Sequence, residues 1–163
     1  MRDNIESHEL QEEATRYLIF KVCDEVYGTP LLGVREVVEF HQPKTIPNTT
    51  SYFAGVINIR GEIVGVIDLR KRFGYNVEEN NGVAMIVFST AEGTIAAIVD
   101  KVEAVIELQS NQIEARPNVK TKVRLDYLLG IGKHKDQLIT LVDLNGVLAI
   151  EDLVSIKESK LKL

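Results

Sequence analysis

The stretch "GVINIRGEIVGVIDLRKRFG", residues 55 to 74, places a charged arginine between two apolar runs. Arg60 and Gly61 separate Val56–Ile59 from Ile63–Ile67, so the arginine is expected at a turn between two strands. A carboxylate that could partner it, Glu36, lies in the strand-like segment "GVREVVEF" (33–40). Arg60 and Glu36 are either two solvated surface groups or a pair that fixes the shape of a binding surface.

The remaining reactive side chains form no catalytic or metal-binding pattern. The three histidines lie far apart, in tail or loop segments: His8, His41 and His134. Cys23 is the single cysteine, so neither zinc-type spacing nor an internal disulfide framework is present. Asp68 and Asp143 each follow a strand and open a turn, and this position favours helix capping over acid–base catalysis.

Motifs of nucleotide-binding and hydrolytic enzymes are also missing. "GIGK" (130–133) resembles the end of a phosphate loop, but Tyr127 stands where glycine is needed and His134 where serine or threonine is needed. The sequence contains no G-x-S-x-G elbow, H-E-x-x-H pair or dinucleotide fingerprint. We therefore expect a protein without catalytic residues, metal or cofactor.

The composition narrows the class of partner. The 163 residues include 19 basic and 24 acidic side chains, a net charge of −5, which argues against nucleic-acid binding. No apolar run approaches the roughly 18 residues of a membrane helix, and the N-terminus lacks a secretion signal. These features predict a cytoplasmic protein that does not insert into a membrane. The acidic residues 1–14 are expected to form a disordered tail.

Short runs rich in valine and isoleucine predict an all-β fold. Strands are expected where such runs stand between Gly, Asn, Asp and Pro residues: "YLIFKV" (17–22), "AMIVFS" (84–89), "TIAAIVD" (94–100), "KVEAVIEL" (101–108) and "QLITLVDL" (137–144). After "VIDL", Arg70–Phe73 is predicted to form one helical turn capped by Asp68. Residues 151–163 are predicted to form a short amphipathic C-terminal helix.

An internal repeat divides the strand-rich region into two related units. A shift of 68 positions places Phe20 on Phe88, and a shift of 75 places "EIVGVIDLRKRF" (62–73) on "QLITLVDLNGVL" (137–148). Such self-similarity indicates a fold built from two similar units, about 15–80 and 83–150. Each unit has about five short strands, which suits a small barrel, and two barrels this small are expected to share a core.

Comparison of the two repeats distinguishes residues that occur in both copies from residues that occur in only one. Glu36 falls on Ala104, while Arg60 and Gly61 fall on Lys135 and Asp136. Features required by the fold are expected in both copies. A Glu and an Arg-Gly turn found in only one copy are therefore candidates for function.

Five separated segments, in order, resemble the CheW family of bacterial chemotaxis adaptors. They are "YLIF…DEVYG" (17–28), "VREVVE" (34–39), "IPNTTSYFAGVINIRG" (46–61), "IAAIVDKVEAV" (95–105) and "YLLGIGKHKDQLITLVDL" (127–144). The resemblance spans about residues 17 to 148. It implies a CheW-like domain over 15–150 with two SH3-like five-stranded β-barrels in tandem. It also implies a non-enzymatic adaptor that couples chemoreceptor cytoplasmic tips to the regulatory CheW-like domain of the histidine kinase CheA, at receptor arrays on the inner membrane.

The resemblance also implies a receptor-binding groove between the barrels. Carried over residue by residue, the groove comprises Val34, Glu36, Gly55, Asn58, Arg60, Ala96 and Val105. In the family, Glu36 and Arg60 would pair and hold the shape of the groove.

The sequence departs from the family pattern at two structural positions and leaves two alternatives open. Gly65 and Thr50 stand at or near positions where the family usually has proline. A CheW paralogue serving another chemosensory-type pathway is one alternative. A small β-barrel that binds a ligand or an oligonucleotide is the other, although the acidic charge and the absence of tryptophan disfavour oligonucleotides.

Overall fold

The computed structural model describes residues 14–77, 82–91, 93–115 and 127–147. This part of the chain is built almost entirely from β-strands, as the sequence predicts. The predicted tail (1–14), apart from its last residue, and the predicted C-terminal helix (151–163) lie outside the described residues.

Eleven strands are formed within the described ranges. They are β1 (Thr15–Val22), β2 (Glu25–Pro30), β3 (Val34–Glu39), β4 (Phe53–Ile59), β5 (Glu62–Asp68), β6 (Ala84–Thr90), β7 (Gly93–Val99), β8 (Lys101–Leu108), β9 (Ile113–Glu114), β10 (Leu128–His134) and β11 (Gln137–Val142). The helical elements are short: α1 (Leu69–Arg72), a 3-10 turn (Ser110–Gln112) and α2 (Leu144–Val147). The single helical turn expected after "VIDL" is therefore confirmed, beginning one residue earlier than predicted.

The strands form two sheets with the same internal order. The first sheet runs β8-β1-β2-β11-β10-β9, and the second runs β3-β6-β7-β5-β4. In each sheet one parallel pair, β2 with β11 or β7 with β5, lies among antiparallel neighbours. Ile63–Ile67 in β5 and Leu138–Val142 in β11 occupy equivalent places, which confirms the duplication inferred from the sequence.

Each sheet draws strands from both sequence repeats. The first sheet combines β1 and β2 with β8 to β11, whereas the second consists of β3 to β7. Each repeat thus gives its first hairpin to the sheet that the other repeat completes. Neither of the predicted units, 15–80 and 83–150, therefore contains all the strands of one sheet.

Alternating side chains divide the apolar core into three parts. Odd and even positions of a strand point to opposite faces, and in β1 Leu18 and Phe20 join a cluster shared by the two sheets while Ile19 packs within the first sheet. In β6 Phe88 joins the shared cluster and Val87 packs within the second sheet. The shared cluster contains five buried aromatic side chains drawn from both sheets and from the end of α1, namely Phe20, Tyr27, Phe53, Phe73 and Phe88.

Each sheet carries a β-bulge at the same repeat position. On β3, Val34 and Glu36 face the successive residues Phe88 and Val87 of β6, so Arg35 is the extra residue. On β8 the extra residue is Glu103, its counterpart at a shift of 68 positions. The bulge is therefore part of the duplicated backbone.

Candidate protein-binding site

Arg60 lies in a two-residue hairpin turn between β4 and β5. Its backbone φ is 51° and that of Gly61 is 85°, the pair of positive values that a type I′ turn requires. The amide of Gly61 donates a hydrogen bond of 2.8 Å to the Asn58 side-chain oxygen, which stabilises the turn from within. The sequence therefore predicted the turn correctly, and its twist directs the Arg60 side chain outward.

Arg60 and Glu36 form an ion pair across the edges of the second sheet. Arg60 Nη1 lies 2.7 Å from Glu36 Oε2, and the two side chains are 76% and 19% exposed. Because β3 and β4 are the first and last strands of this sheet, the pair shows that the sheet curls until its edges approach each other. The pairing expected from the resemblance is therefore present in this structure.

A second ion pair lies beside the first and was missed from the sequence. Arg35 Nη1 donates to Glu62 Oε2 at 3.1 Å. The hydroxyl of Thr94, on β7, donates to Glu62 Oε1 at 2.7 Å and accepts from Arg35 at 3.1 Å. These hydrogen bonds from Thr94 and then Arg35 hold the pKa of Glu62 below its ordinary value.

Both ion pairs join β3 to the β4–β5 turn, with the charges reversed. β3 supplies the cation of one pair and the anion of the other. Adjacent residues of β3, Arg35 and Glu36, bind Glu62 and Arg60 on either side of Gly61. In a regular strand, adjacent side chains point to opposite faces. The bulge at Arg35 breaks this alternation, and both side chains reach one turn. The sequence signal was the pair of opposite-charge motifs, Arg35-Glu36 and Arg60-Gly61-Glu62.

Two of the expected groove residues have structural roles at their positions. Gly55 is buried with φ of 133°, and a Cβ there would lie 2.1 Å from the carbonyl oxygen of Lys44. At Gly130, its counterpart in the other repeat, a Cβ would lie 2.7 Å from the carbonyl oxygen of Glu114. Val34 is half-buried and packs on the shared cluster. Gly55 therefore permits a close backbone contact with Lys44, and Val34 contributes to the shared cluster.

The last two expected residues differ in exposure. Ala96 is fully buried inside the second sheet in this structure. A small apolar residue in a strand fits a packed interior as well as a surface. Val105 is 50% exposed but belongs to β8 of the first sheet. The exposed candidates that the structure brings together are Glu36, Asn58 and Arg60.

The residues considered for catalysis have other roles. Asp68 is buried and binds the backbone and guanidinium of Arg70, so it caps α1 as predicted. Asp143 caps α2 in the same way, by accepting from the amide of Asn145. Burial is the main cause that raises the pKa of the Cys23 thiol, and Asp100 adds to it. "GIGK" forms the middle of β10 and not a phosphate loop.

Within the ranges that the structure describes, no group of three His, Cys, Asp or Glu side chains is placed to hold a metal ion. No helix in the described part of the chain is long and apolar enough to cross a membrane.

Comparison with known proteins agrees with this architecture. The model of the CheW-like domain matches residues 16–152. The chemotaxis protein CheW of Klebsiella aerogenes is 34% identical over 140 residues, covering 84% of this chain and 83% of its own. CheW of Bacillus subtilis is 29% identical over 136 residues, covering 82% and 86%. The crystal structure of scaffolding protein TtCheW from Thermoanaerobacter tengcongensis superposes with a TM-score of 0.75 at 32% identity, covering 83% of this chain and 93% of that one.

Two sheets that exchange hairpins, with an ion-paired turn on the second, define a duplicated all-β module. The family model and the relatives then identify the family itself: the chain belongs to the CheW-like family. It is a chemotaxis adaptor without enzymatic activity, as the sequence resemblance implied.

Proposed function

We propose that this chain couples the cytoplasmic helical tips of chemoreceptors to the histidine kinase CheA. The observation that carries the proposal is the ion-paired β4–β5 turn, which one repeat has and the other lacks. Lys135 and Ala104 replace Arg60 and Glu36 in the second repeat. The duplicated fold forms without this pair, so the pair is available for a task of its own. The adaptor would act in the cytoplasm, at receptor arrays on the inner membrane.

The proposed receptor surface consists of Glu36, Asn58 and Arg60, together with Val34 and Gly55 of the same sheet. A receptor tip is an antiparallel helical hairpin, and a helix docks through a short row of apolar anchors with polar contacts at the edge. The ion pair would orient the wall of the groove. Val105 would contribute an apolar contact from the first sheet only if the bound helix extends that far.

The proposed kinase surfaces use the pseudo-symmetry of the two sheets. Ile63 on β5 and Leu138 on β11 are equivalent residues and are 57% and 63% exposed. An apolar centre surrounded by polar groups is usual for protein–protein contacts. We assign these two hairpins to contact with CheW-like domains, one per face, so that head-to-tail pairing would generate rings or filaments.

Receptor binding is tested with a soluble receptor cytoplasmic fragment and a matched pair of variants. Arg60→Ala is expected to weaken binding at least several-fold, because it removes the ion pair. Lys135→Ala, in the equivalent turn of the other repeat, is the control and is expected to bind like the wild type. Glu36→Ala should resemble Arg60→Ala, and the double variant should be less than additive. Equal affinity of all variants would overturn the assignment of this surface.

Kinase binding is tested separately by size-exclusion chromatography with the regulatory domain of CheA. The wild type is expected to co-elute with it, and Ile63→Asp or Leu138→Asp should reduce co-elution. Absence of a complex at high micromolar concentration would remove the kinase from the proposal. Binding only to receptors and kinases of another chemosensory-type pathway would instead support the paralogue alternative.

A further inference from the structure

We propose that Arg35, Glu62 and Thr94 form a positioning network that holds the β4–β5 turn, and therefore Arg60, in the geometry that binds the receptor. This inference rests on the proposed function, because it assigns residues that prepare the same site. The three side chains lie on β3, β5 and β7 and are joined by three hydrogen bonds of 2.7 to 3.1 Å.

The network supplies a restraint that the Arg60–Glu36 pair lacks. Arg60 is 76% exposed, and a long exposed side chain held by one ion pair loses much of the Coulomb gain to solvent and to side-chain entropy. Glu62 lies two residues from Arg60, on the other side of the turn. Its two carboxylate oxygens bind partners on two different strands, so it fixes the turn at a second point.

The backbone for this network is duplicated, but its chemistry is not. The bulge at Arg35 recurs at Glu103, and the two-residue turn recurs at Lys135 and Asp136 with φ of 47° and 64°. Every side chain of the network changes in the other repeat: Glu103, Gln137 and Val26 stand for Arg35, Glu62 and Thr94.

The replacements in the other repeat cannot form an equivalent network. Gln137 carries no charge, Val26 carries no hydroxyl, and Glu103 forms its ion pairs with Lys21 and Lys101. A bulge and a turn of this kind therefore form without the three polar groups. Arg35, Glu62 and Thr94 occur on the same sheet as the Arg60–Glu36 pair and are replaced where that pair is replaced. This association links the three residues to the candidate site and not to the fold.

The residue found in the other repeat provides the test substitution at Glu62 and at Thr94. Glu62→Gln and Thr94→Val introduce the residues that the fold already accepts at the equivalent positions, so both variants are expected to fold. Glu103→Gln is the matched control, because it removes a carboxylate of the equivalent bulge on the first sheet and leaves the turn of Arg60 untouched. All measurements use the full chain.

The first measurement is NMR relaxation of the Arg60 Nε–H group, which reports side-chain order without any partner. We expect Glu62→Gln to increase the mobility of Arg60, Thr94→Val to do so to a smaller degree, and Glu103→Gln to leave it unchanged. A merely stabilising surface network would lower the melting temperature without changing the order of Arg60. Unchanged Arg60 mobility in Glu62→Gln would overturn the inference.

The second measurement is affinity for a receptor cytoplasmic fragment. Glu62→Gln and Arg35→Gln are each expected to weaken binding several-fold, and the double variant should bind no more weakly than the weaker single variant because the residues act as a unit. A mobile Arg60 with wild-type affinity would overturn the link to binding. If the wild type itself fails to bind, the proposed function falls, and the positioning network is then decided by Arg60 mobility alone.

Discussion

Arg60 occupies a backbone conformation that disfavours most residues with a Cβ atom. Left-handed φ costs roughly 1–2 kcal/mol for an ordinary L-residue, and asparagine and glycine are the residues that type I′ turns prefer. Arg60 has φ of 51° nevertheless. The exposed ion pair with Glu36 contributes only about 0–1 kcal/mol to the free energy of unfolding. The arginine is therefore retained at a position where it does not maximise stability, as expected for a functional residue.

Arg60→Asn separates stability from binding. It creates an Asn-Gly turn, so the melting temperature is expected to stay the same or rise by a few degrees, while receptor affinity falls several-fold. Thermal unfolding and titration against a receptor fragment measure the two effects. Lys135→Asn in the equivalent turn should give a similar stability change without loss of affinity. A marked loss of stability in Arg60→Asn would identify Arg60 as a structural turn residue.

The Glu62 carboxylate is expected to titrate below the ordinary range for glutamate. Thr94 and Arg35 hydrogen-bond to its charged form and lower its pKa. A group with a lowered folded-state pKa contributes stability above its unfolded-state pKa, and this contribution disappears as the pH falls through the folded-state value. Carbon-detected NMR titration should show the low pKa, and Arg35→Gln should raise it. An unshifted pKa in both proteins would contradict the hydrogen-bonded geometry.

At the scale of elements, the two repeats show which local features the fold requires. Bulges at Arg35 and Glu103 and caps at Asp68 and Asp143 occur in both. The caps nevertheless differ in burial. Asp68 is fully buried and also binds the buried guanidinium of Arg70, whereas Asp143 caps α2 nearer the surface. The same sequence position therefore contributes different amounts of free energy in the two repeats.

Asp68→Ala is expected to destabilise the chain by about 3 kcal/mol or more. The substitution removes a cap and takes away the carboxylate that lies 3.0 Å from the buried guanidinium of Arg70, whereas the contact of Arg70 to Asp100 is longer, at 3.4 Å. Asp143→Ala removes a cap alone and should cost about 0.5–2 kcal/mol. Chemical denaturation of both variants gives the comparison. Equal losses would mean that the Asp68–Arg70 pair contributes no more than its capping bond.

The sequence predicted most elements and the equivalence of the repeats, but not how strands combine into sheets. Alternating apolar residues and the Arg60-Gly61 turn are local signals, and each was interpreted correctly. The exchange of hairpins depends on contacts between distant segments, for which a local pattern carries no information. The Arg35–Glu62 pair was missed for a related reason: without the bulge, Arg35 and Glu36 would point to opposite faces. The burial of Ala96 could not be predicted, because size and apolarity do not distinguish a groove from a core.

At the scale of the whole molecule, the shared cluster makes the two sheets a single folding unit. Phe20 and Phe88 are equivalent residues of the repeats, and both are buried in this cluster. The cluster also includes Leu69 on α1 and Leu144 on α2, so both helical turns close it. Truncation of either phenylalanine would open a cavity in contact with both sheets, which costs about 3–5 kcal/mol. Unfolding is therefore expected in one cooperative transition.

Two fragments of equal length distinguish duplication units from sheet units. Residues 15–80 correspond to one sequence repeat and contain no complete sheet, whereas residues 34–99 contain all five strands of the second sheet. We expect fragment 34–99 to retain β-structure by circular dichroism, although it exposes half of the shared cluster, and fragment 15–80 to be largely unfolded. Comparable structure in both fragments would show that the exchanged hairpins contribute little to folding.

The exchange of hairpins also has a consequence for the order in which the protein forms on the ribosome. The second sheet is continuous in sequence and is complete once Val99 has emerged, but β2 pairs with β11, which ends at Val142. Protein synthesis proceeds at about 5–20 residues per second, so β11 is completed on the order of ten seconds after β2, the strand with which it pairs. The other strand of the first hairpin, β1, which contains "YLIFKV", pairs with β8, and β8 ends at Leu108. The N-terminal hairpin is thus the first part to be synthesised and among the last to reach its native pairing.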